Sequence, residues 1–409
     1  MRKMKDSGVE WIGEIPKDWN CMRLKFAFGN SNVGESVDKE LYSSDENGYI
    51  FYTAGANPVK TSYTEFPMWK YTTDNDILLA RNGPPYIYLP SKDAVYSDHI
   101  IRINIKDGYC RRFLRYCLQR SIESIIVDSV SIATWSISLW KEQKLPLPYY
   151  HEQKYLADYL DSKCSKIDEI IEKQQAIIKK LKEYKFSIIT EAVTKGINPD
   201  VELKDSTIDM CEQIPVHWGI SQNRYLFLLR DEKNYKPLEE VRLLSLYTDL
   251  GVFPHGEQEE RGNKAVKAEG YKVVYENDIV VNIILAWMGA IGRSAYDGVT
   301  SPAYDIYKPN ENVCSRYYHY LYRTKPFSAE CYKYGRGIMA MRWRTYSSEF
   351  KSIKVPVPPY IEQCQIADYL DSKCEMLDKT IADRNKAIDI LQEYKKSLIY
   401  EVVTGKKEV

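Results

Sequence analysis

Three short stretches carry residue types that could do chemistry. Asn82-Gly83-Pro84-Pro85-Tyr86 holds the side chains of the N-P-P-Y motif, in which an Asn amide and the next carbonyl grip a target amine. Gly83 separates the Asn from the Pro pair and breaks that geometry, and no glycine-rich cofactor loop follows a strand nearby. Pro199-Asp200 followed by Glu202-Leu203-Lys204 has the residue types of a metal-dependent nuclease. Such a site needs its Asp and its Glu-x-Lys on separate strands converging on a metal. Here they are adjacent, in what reads as a linker. Gly335-Arg336-Gly337 is a fragment of a phosphate loop without the Lys-Ser/Thr that completes one. Nine cysteines include no C-x-x-C pair, and five scattered histidines include no H-E-x-x-H. A zinc ribbon, a redox motif and a secreted disulfide framework therefore lack support. The chemistry must lie elsewhere, which turns attention to the elements that position these stretches.

The 409 residues are too many for one ordinary domain and predict two or three. Lys plus Arg and Asp plus Glu are 57 each, so the net charge is zero. That excludes a uniformly basic, histone-like binder but allows a local basic face beside acidic ones. The 34 tyrosines suit interfaces, being rigid, flat and able to hydrogen-bond. No apolar run approaches a membrane span. The first residues, MRKMKDSGVEWIGEIP, have charge but no apolar core, unlike a signal peptide. The expectation is a soluble, reduced, cytoplasmic protein with no membrane partner.

The chain repeats itself. Residues 145–194 align without a gap on 355–404, and the block ADYLDSKC is identical at 157–164 and 367–374. DSGVEWIGEIPKDW at 6–19 aligns with DSTIDMCEQIPVHW at 205–218. Trp140-Lys141 falls opposite Phe350-Lys351. The order is A–B–A′–B′, two variable segments alternating with two near-copies.

The near-copies predict long helices. Each starts after a Pro-rich stretch (Pro146 and Pro148; Pro356, Pro358 and Pro359) and meets no Pro or Gly until Gly196 or Gly405. About 42 residues at 1.5 Å each make a rod of about 60 Å. Leu160, Ile167, Gln174, Leu181 and Ile188 fall seven apart, with Cys164, Ile171 and Ile178 between them. Leu370, Leu377, Arg384, Leu391 and Leu398, with Cys374, Ile381 and Ile388, repeat the pattern. Such heptads predict a coiled coil, and an antiparallel packing of the two rods would bring their midpoints together. One polar residue interrupts each seam at the same register, Gln174 and Arg384. They read either as register-setting partners at the rods' midpoints or as two solvated positions.

The variable segments alternate Tyr, Ile, Val and Thr in short runs, as in DILLA at 76–80, HIIRINI at 99–105, YKVVYENDIVVNIIL at 271–285 and AYDIYK at 303–308. These are strands broken by turn residues. A short helix follows at 109–121 and again at 313–325. The fold class is therefore α+β: two globular domains of mixed fold separated by two long helices, in a pseudo-two-fold repeat. The boundaries fall at 1–144, 145–197, 198–354 and 355–409. Trp19/Trp218 and Ile15/Ile214 recur at both domain starts and read as core or hinge packing.

Over its full length this arrangement resembles the specificity (S) subunit of type I restriction–modification systems. The resemblance rests on EIPKDW and QIPVHW at the domain starts and on the Pro-rich hinge with Glu152-Gln153 and Glu362-Gln363. It rests also on the ADYLD helix start and on LAWMGAIGRSAYDGVTSPAY in the second domain. It implies a non-catalytic subunit whose two target recognition domains each read one half of a split double-stranded DNA target. The helices would act as a ruler for the gap. It also implies two adenine-methylating (M) subunits and motor-nuclease restriction (R) subunits as partners. S-adenosylmethionine would sit on M and ATP with Mg on R, with no cofactor or metal on this chain. Outer helix positions such as Lys179-Lys180 and Glu183, with adjoining domain edges, would dock M. Two half-sites about one helical turn apart, or somewhat more, suit a rod of that length.

Candidate DNA contacts are loop residues. In the second domain, Arg336, Arg342, Trp343 and Arg344 lie in GRGIMAMRWRTYSS, where glycines would let the loop enter a groove. The matching first-domain stretch offers Ser129, Ser131 and Thr134. Loops after the N-D-I strands offer Arg81 and Asn82 in the first domain, and Asn282, Trp287 and Arg293 in the second. Asn suits adenine and Arg suits guanine, and each of these groups reads as a base or a phosphate contact, with a solvated basic loop as the alternative for the Arg-rich stretch. His99 falls in a strand and reads either as a packed core histidine or as a contact. Two other readings compete: a self-contained methyltransferase or nuclease, which lacks its motifs, and a coiled-coil scaffold, which leaves two differing domains unexplained.

Overall fold

The computed structural model describes residues 2–43, 48–127, 134–248, 250–256, 268–337 and 343–409. It divides into two compact units, Met1–Gln175 with Asn385–Val409, and Ala176–Arg384. Both long helices form as the absence of Pro and Gly predicts, Tyr150–Lys195 and Tyr360–Val403. The division falls within the helices, so each unit holds the first half of one rod and the second half of the other.

Each unit is built on a four-stranded antiparallel sheet of the same order. In the first unit the strands run Phe28–Val33, Ile100–Ile105, Asp76–Ala80, Ile87–Tyr88 across the sheet. In the second they run Phe227–Arg230, Tyr304–Pro309, Ile279–Asn282, Ile291–Arg293. Asp76–Ala80 and Ile279–Asn282 are buried at every residue, which is why their sequences read as unbroken apolar runs rather than alternations. Smaller pairs recur too. Asn20–Arg23 pairs with Lys144–Leu147, and Gly219–Gln222 with Lys354–Val357, tying the start of each domain to the strand that leads into its rod.

The helix after the sheet differs between units. It is continuous over Arg111–Val127 in the first. In the second it is split into Ser315–Tyr322 and Lys325–Tyr334, because Pro326 starts a new helix that Thr324 caps through the Phe327 N–H. The first unit adds a mixed sheet of Val95–Tyr96, Tyr49–Tyr52, Val59–Thr61 and Tyr42–Ser43. The second has two hairpin-like pairs instead, Leu244–Tyr247 with Gly251–Pro254 and Lys272–Val274 with Gly298–Thr300.

The rods pack antiparallel within each unit. In the first, Lys395 Nζ donates to both Asp168 oxygens at 2.7 and 2.6 Å, while Gly405 lies in a pocket shared with Glu152 and Leu156. In the second, Lys185 meets Asp378 at 2.6 Å and Gly196 lies near Glu362. Leu160, Cys164, Ile167, Ile171, Ile178, Leu370, Cys374, Leu377, Ile388 and Leu398 are all buried, as the heptads predict. Each rod ends in the same way. Gly196 and Gly405 sit at φ 81° and 70°, against Trp218 and Trp19 respectively. Trp19, Trp218, Ile15 and Ile214 are buried, and in the second unit Ala192, Val193, Ile366 and Leu370 of the rods belong to the domain core.

Candidate nucleic-acid interface

One loop in each domain is held by the same frame. At the start of the buried strand, Asp76 is fully buried and accepts from Thr73 N–H at 2.6 Å and from Asn104 Nδ2 at 2.8 Å. Asp278 accepts from Tyr275 N–H at 2.9 Å and from Arg230 Nε at 2.9 Å. Burial pushes the Asp278 carboxyl up, against the opposing pull of Arg230 and the Tyr275 N–H. At the far end of the strand the chain leaves the sheet. Trp135 N–H donates to Arg81 O at 2.7 Å, and Thr345 N–H donates to Ile283 O at 2.9 Å. The segment before the rod is thus stitched to the loop after the strand, in both domains.

In the first domain this brings Arg81, Asn82 and Thr134 together. Asn82 and Thr134 form an isolated bridge, and Trp135 Nε1 donates to Gly83 O at 3.0 Å. Gly83 takes φ 70°, a left-handed turn that costs glycine little. Arg81 and Thr134 are exposed. His99 stands just before its strand and is exposed, so it is not a core histidine. Asn82 Nδ2 lies 2.8 Å from His99 Nδ1. Ser129 and Ser131 lie outside the described residues, as does Arg342 in the second domain.

In the second domain the structure gathers Asn282, Trp287, Arg336, Trp343 and Arg344 but spends several of them on the loop itself. Asn282 is buried, and its Oδ1 accepts from Ile284 N–H at 3.0 Å and Leu285 N–H at 3.3 Å. Trp287 Nε1 donates to Ile284 O, and Trp343 Nε1 to Tyr332 O, both at 3.0 Å. Trp343 stacks on Tyr332 at 4.9 Å. Gly335 is needed for that close approach, since a Cβ there would sit 2.5 Å from Trp343 Nε1. Its role is thus packing rather than the loop freedom expected of it. Arg336 pairs with Glu349 and bridges Arg344 through backbone bonds. Arg293 is not in the loop. It ends the strand Ile291–Arg293, pairs with Ile279 at the other end of the buried strand, and bonds Asn277 and Glu276.

The nuclease-like stretch is structural. Residues Leu203–Ile208 form a strand rather than a linker, and Lys204 Nζ donates to Val216 O and Trp218 O at 2.7 Å. Among the described residues no group of His, Cys, Asp and Glu could hold a metal. Gln174 and Arg384 are half-buried on their rods, one in each unit.

A second set of residues went unread in the sequence. Arg112 meets Asp158 at 2.6 Å and Asp161 at 2.7 Å, and Tyr116 Oη donates to Asp161 at 2.7 Å. Arg316 meets Asp368 and, at 3.3 Å, Asp371, while Tyr320 Oη donates to Asp371 at 2.7 Å. Gln153 accepts from Cys110 N–H at 2.9 Å, and Gln363 from Cys314 N–H at 2.9 Å. Burial and then the carboxylate push both tyrosine hydroxyls well up, so they remain donors. The signal was present: Arg112/Arg316 and Tyr116/Tyr320 keep a constant spacing of 204, and their carboxylates sit in the repeated ADYLD. These clamps give the repeated block a physical reason, since it must grip each domain's helix in the same way.

Residues 16–191 match the family model described as the type I restriction modification DNA specificity domain. That stretch is thus similar to a type I restriction–modification specificity domain. The chain as a whole is 23% identical over 428 residues to the type I restriction enzyme MjaVIII specificity subunit of Methanocaldococcus jannaschii, covering 97% of this chain and 94% of that protein. Its fold is that of a chain from a solved structure concerned with complex assembly and conformational transition of the type I R-M system (TM-score 0.68, 12% identity, 96% of this chain and 99% of that one). It is also similar to the crystal structure of the HsdS subunit from Thermoanaerobacter tengcongensis (TM-score 0.51, 14% identity, 96% and 98% covered). The matched residues include the first stitched loop, the first clamp and the first rod as far as residue 191, and the internal repeat supplies the second set. Among the described residues no helix is long and apolar enough to cross a membrane.

Proposed function

We propose that this chain is the DNA-recognition subunit of a type I restriction–modification complex, each globular domain reading one half of a two-part target. The observation that carries this reading is a duplicated frame whose loops are stitched alike but furnished differently. Arg81, Asn82 and Thr134 present one set of groups, and Arg336 and Arg344 another. The rods set the spacing, with Gln174 and Arg384 as register residues. Replacing both by Leu should raise Tm and loosen the spacing between half-sites.

The chain itself contributes recognition, not catalysis. Two methyltransferase subunits carrying S-adenosylmethionine, and restriction subunits carrying ATP and Mg, supply the chemistry in the cytoplasm. The test is co-expression with the genomic neighbours, purification, and mapping of methylated adenines in host DNA. A stable complex and a split methylated motif are expected. A lone protein with no partner and no motif overturns the reading. Arg344→Ala should weaken DNA binding by about 1–3 kcal/mol if it touches a base, and relax one half of the target only.

A further inference from the structure

The Asn82–His99 pair has no structural task that its surroundings leave undone. The loop backbone is already fixed by Arg81 N–H to His99 O at 2.8 Å, by Trp135 N–H to Arg81 O, and by Trp135 Nε1 to Gly83 O. The side-chain bond is solvent-exposed, with the His99 side chain 54% accessible. Exposed neutral hydrogen bonds add little to stability, because water competes for both partners. Such a bond can nevertheless fix which way an amide points.

We propose that His99 holds the Asn82 carboxamide in the orientation that reads the major-groove edge of an adenine. The proposal rests on the DNA-reading function above and names the base and the positioning residue. Asp98 Oδ1 lies 3.9 Å from His99 Nε2 and favours the ring proton on that nitrogen. Nδ1 is then an acceptor and takes one of the two Asn82 Nδ2 hydrogens. Asn82 keeps its Oδ1 and its second N–H. Those are the acceptor and donor that complement adenine N6–H and N7. A freely rotating amide would present either edge; one with its nitrogen tethered presents one.

The same step of the loop in the second domain carries no such pair. Ile284 stands where Asn82 does, two residues beyond the end of its strand, and Ala303 stands where His99 does, one residue before Tyr304. The reading edge is therefore a property of the first domain's loop and not of the shared frame.

The test is binding-site selection from a randomised duplex pool by the full chain, expressed with its genomic neighbours. Three variants are compared with the unaltered protein, with Tm as the check on folding. Asn82→Ala should lower the preference for one adenine by on the order of tenfold to a hundredfold, leaving the other half-site intact. His99→Ala should relax the same position and no other, by several-fold. His99→Asn, which puts a carbonyl oxygen near the place of Nδ1, should restore it; a merely structural histidine would not show that base-specific rescue. If Asn82→Ala relaxes no position, or a position other than adenine, the pair is not an adenine reader. If Asn82→Ala relaxes an adenine and His99→Ala leaves it untouched, the positioning role is wrong. If the unaltered protein selects no motif at all, the DNA-reading function itself has failed and the proposal falls with it.

Discussion

Asn82 and Ile284 occupy the same step of the same loop in the two domains, one a hydrogen-bonding amide and the other an alkyl chain. Arg112 and Arg316 also occupy one step of one helix, and there the side chain, its carboxylate partners and its Tyr neighbour are all retained. The contrast separates two demands. Where a domain is fastened to its rods, one geometry serves both copies. Where a loop leaves the sheet towards solvent, packing imposes little, and side chains are free to differ.

The sharpest way to break this equivalence is at the rod ends. Trp19→Ala and Trp218→Ala should each cost about 3–5 kcal/mol, read by denaturant titration. The conservative Trp→Phe change should then separate them. Trp19 Nε1 donates to Glu152 at 3.0 Å, whereas Trp218 Nε1 has no partner among the described residues. Trp19→Phe should therefore be the costlier of the two; equal costs would show that the hydrogen bond contributes nothing.

Next come the clamps. Tyr116→Phe and Tyr320→Phe each remove a bond to a carboxylate and should cost about 1–2 kcal/mol, alike in both units. Hydrogen exchange in the helices Arg111–Val127 and Ser315–Tyr322 would report each one separately. A large inequality would mean that the repeated block grips its two domains differently.

Acid should then distinguish the units. His319 stands where the first domain has Arg115, and its Nδ1 accepts the Arg293 N–H at 3.1 Å. Burial, then the nearby Arg323 and Arg293 charges, hold its pKa down to about 3. The folded ring stays neutral while the unfolded chain takes up a proton near pH 6.5, so stability is lost as pH falls from there towards 3. Roughly 1 kcal/mol should be gone by pH 5.5, and His319→Gln should flatten that slope in the second unit. The smallest effect is expected at the paired rods: Lys185→Met and Lys395→Met should each cost under about 1 kcal/mol and lose even that at high salt.

The repeat, the rods and their seams were legible because each is written in local pattern. Heptads and the absence of Pro need no tertiary knowledge to be read. The sheet strands were legible for the same reason, down to Asp76–Ala80. The loops were less so. Asn282, Trp287 and Trp343 look like reading groups in a linear string, yet their polar atoms close the loop itself. Arg293 follows a loop in sequence but ends a strand across the sheet. The clamps escaped notice because Arg112 and Asp161 are 49 positions apart, and only the docking of helix on rod joins them.

A duplicated α+β chain, two reader-like domains and two long helices follow from residue order alone, because repetition and periodicity are properties of order along the chain. Which polar side chains remain available is settled by the fold in three dimensions. That depends on where backbone N–H and C=O groups find their partners, and those partners come from segments distant in sequence. Asn82 and Asn282 are the same residue type at similar places in sequence. One is half-buried and bonded to an exposed histidine, and the other is turned inward to complete a turn.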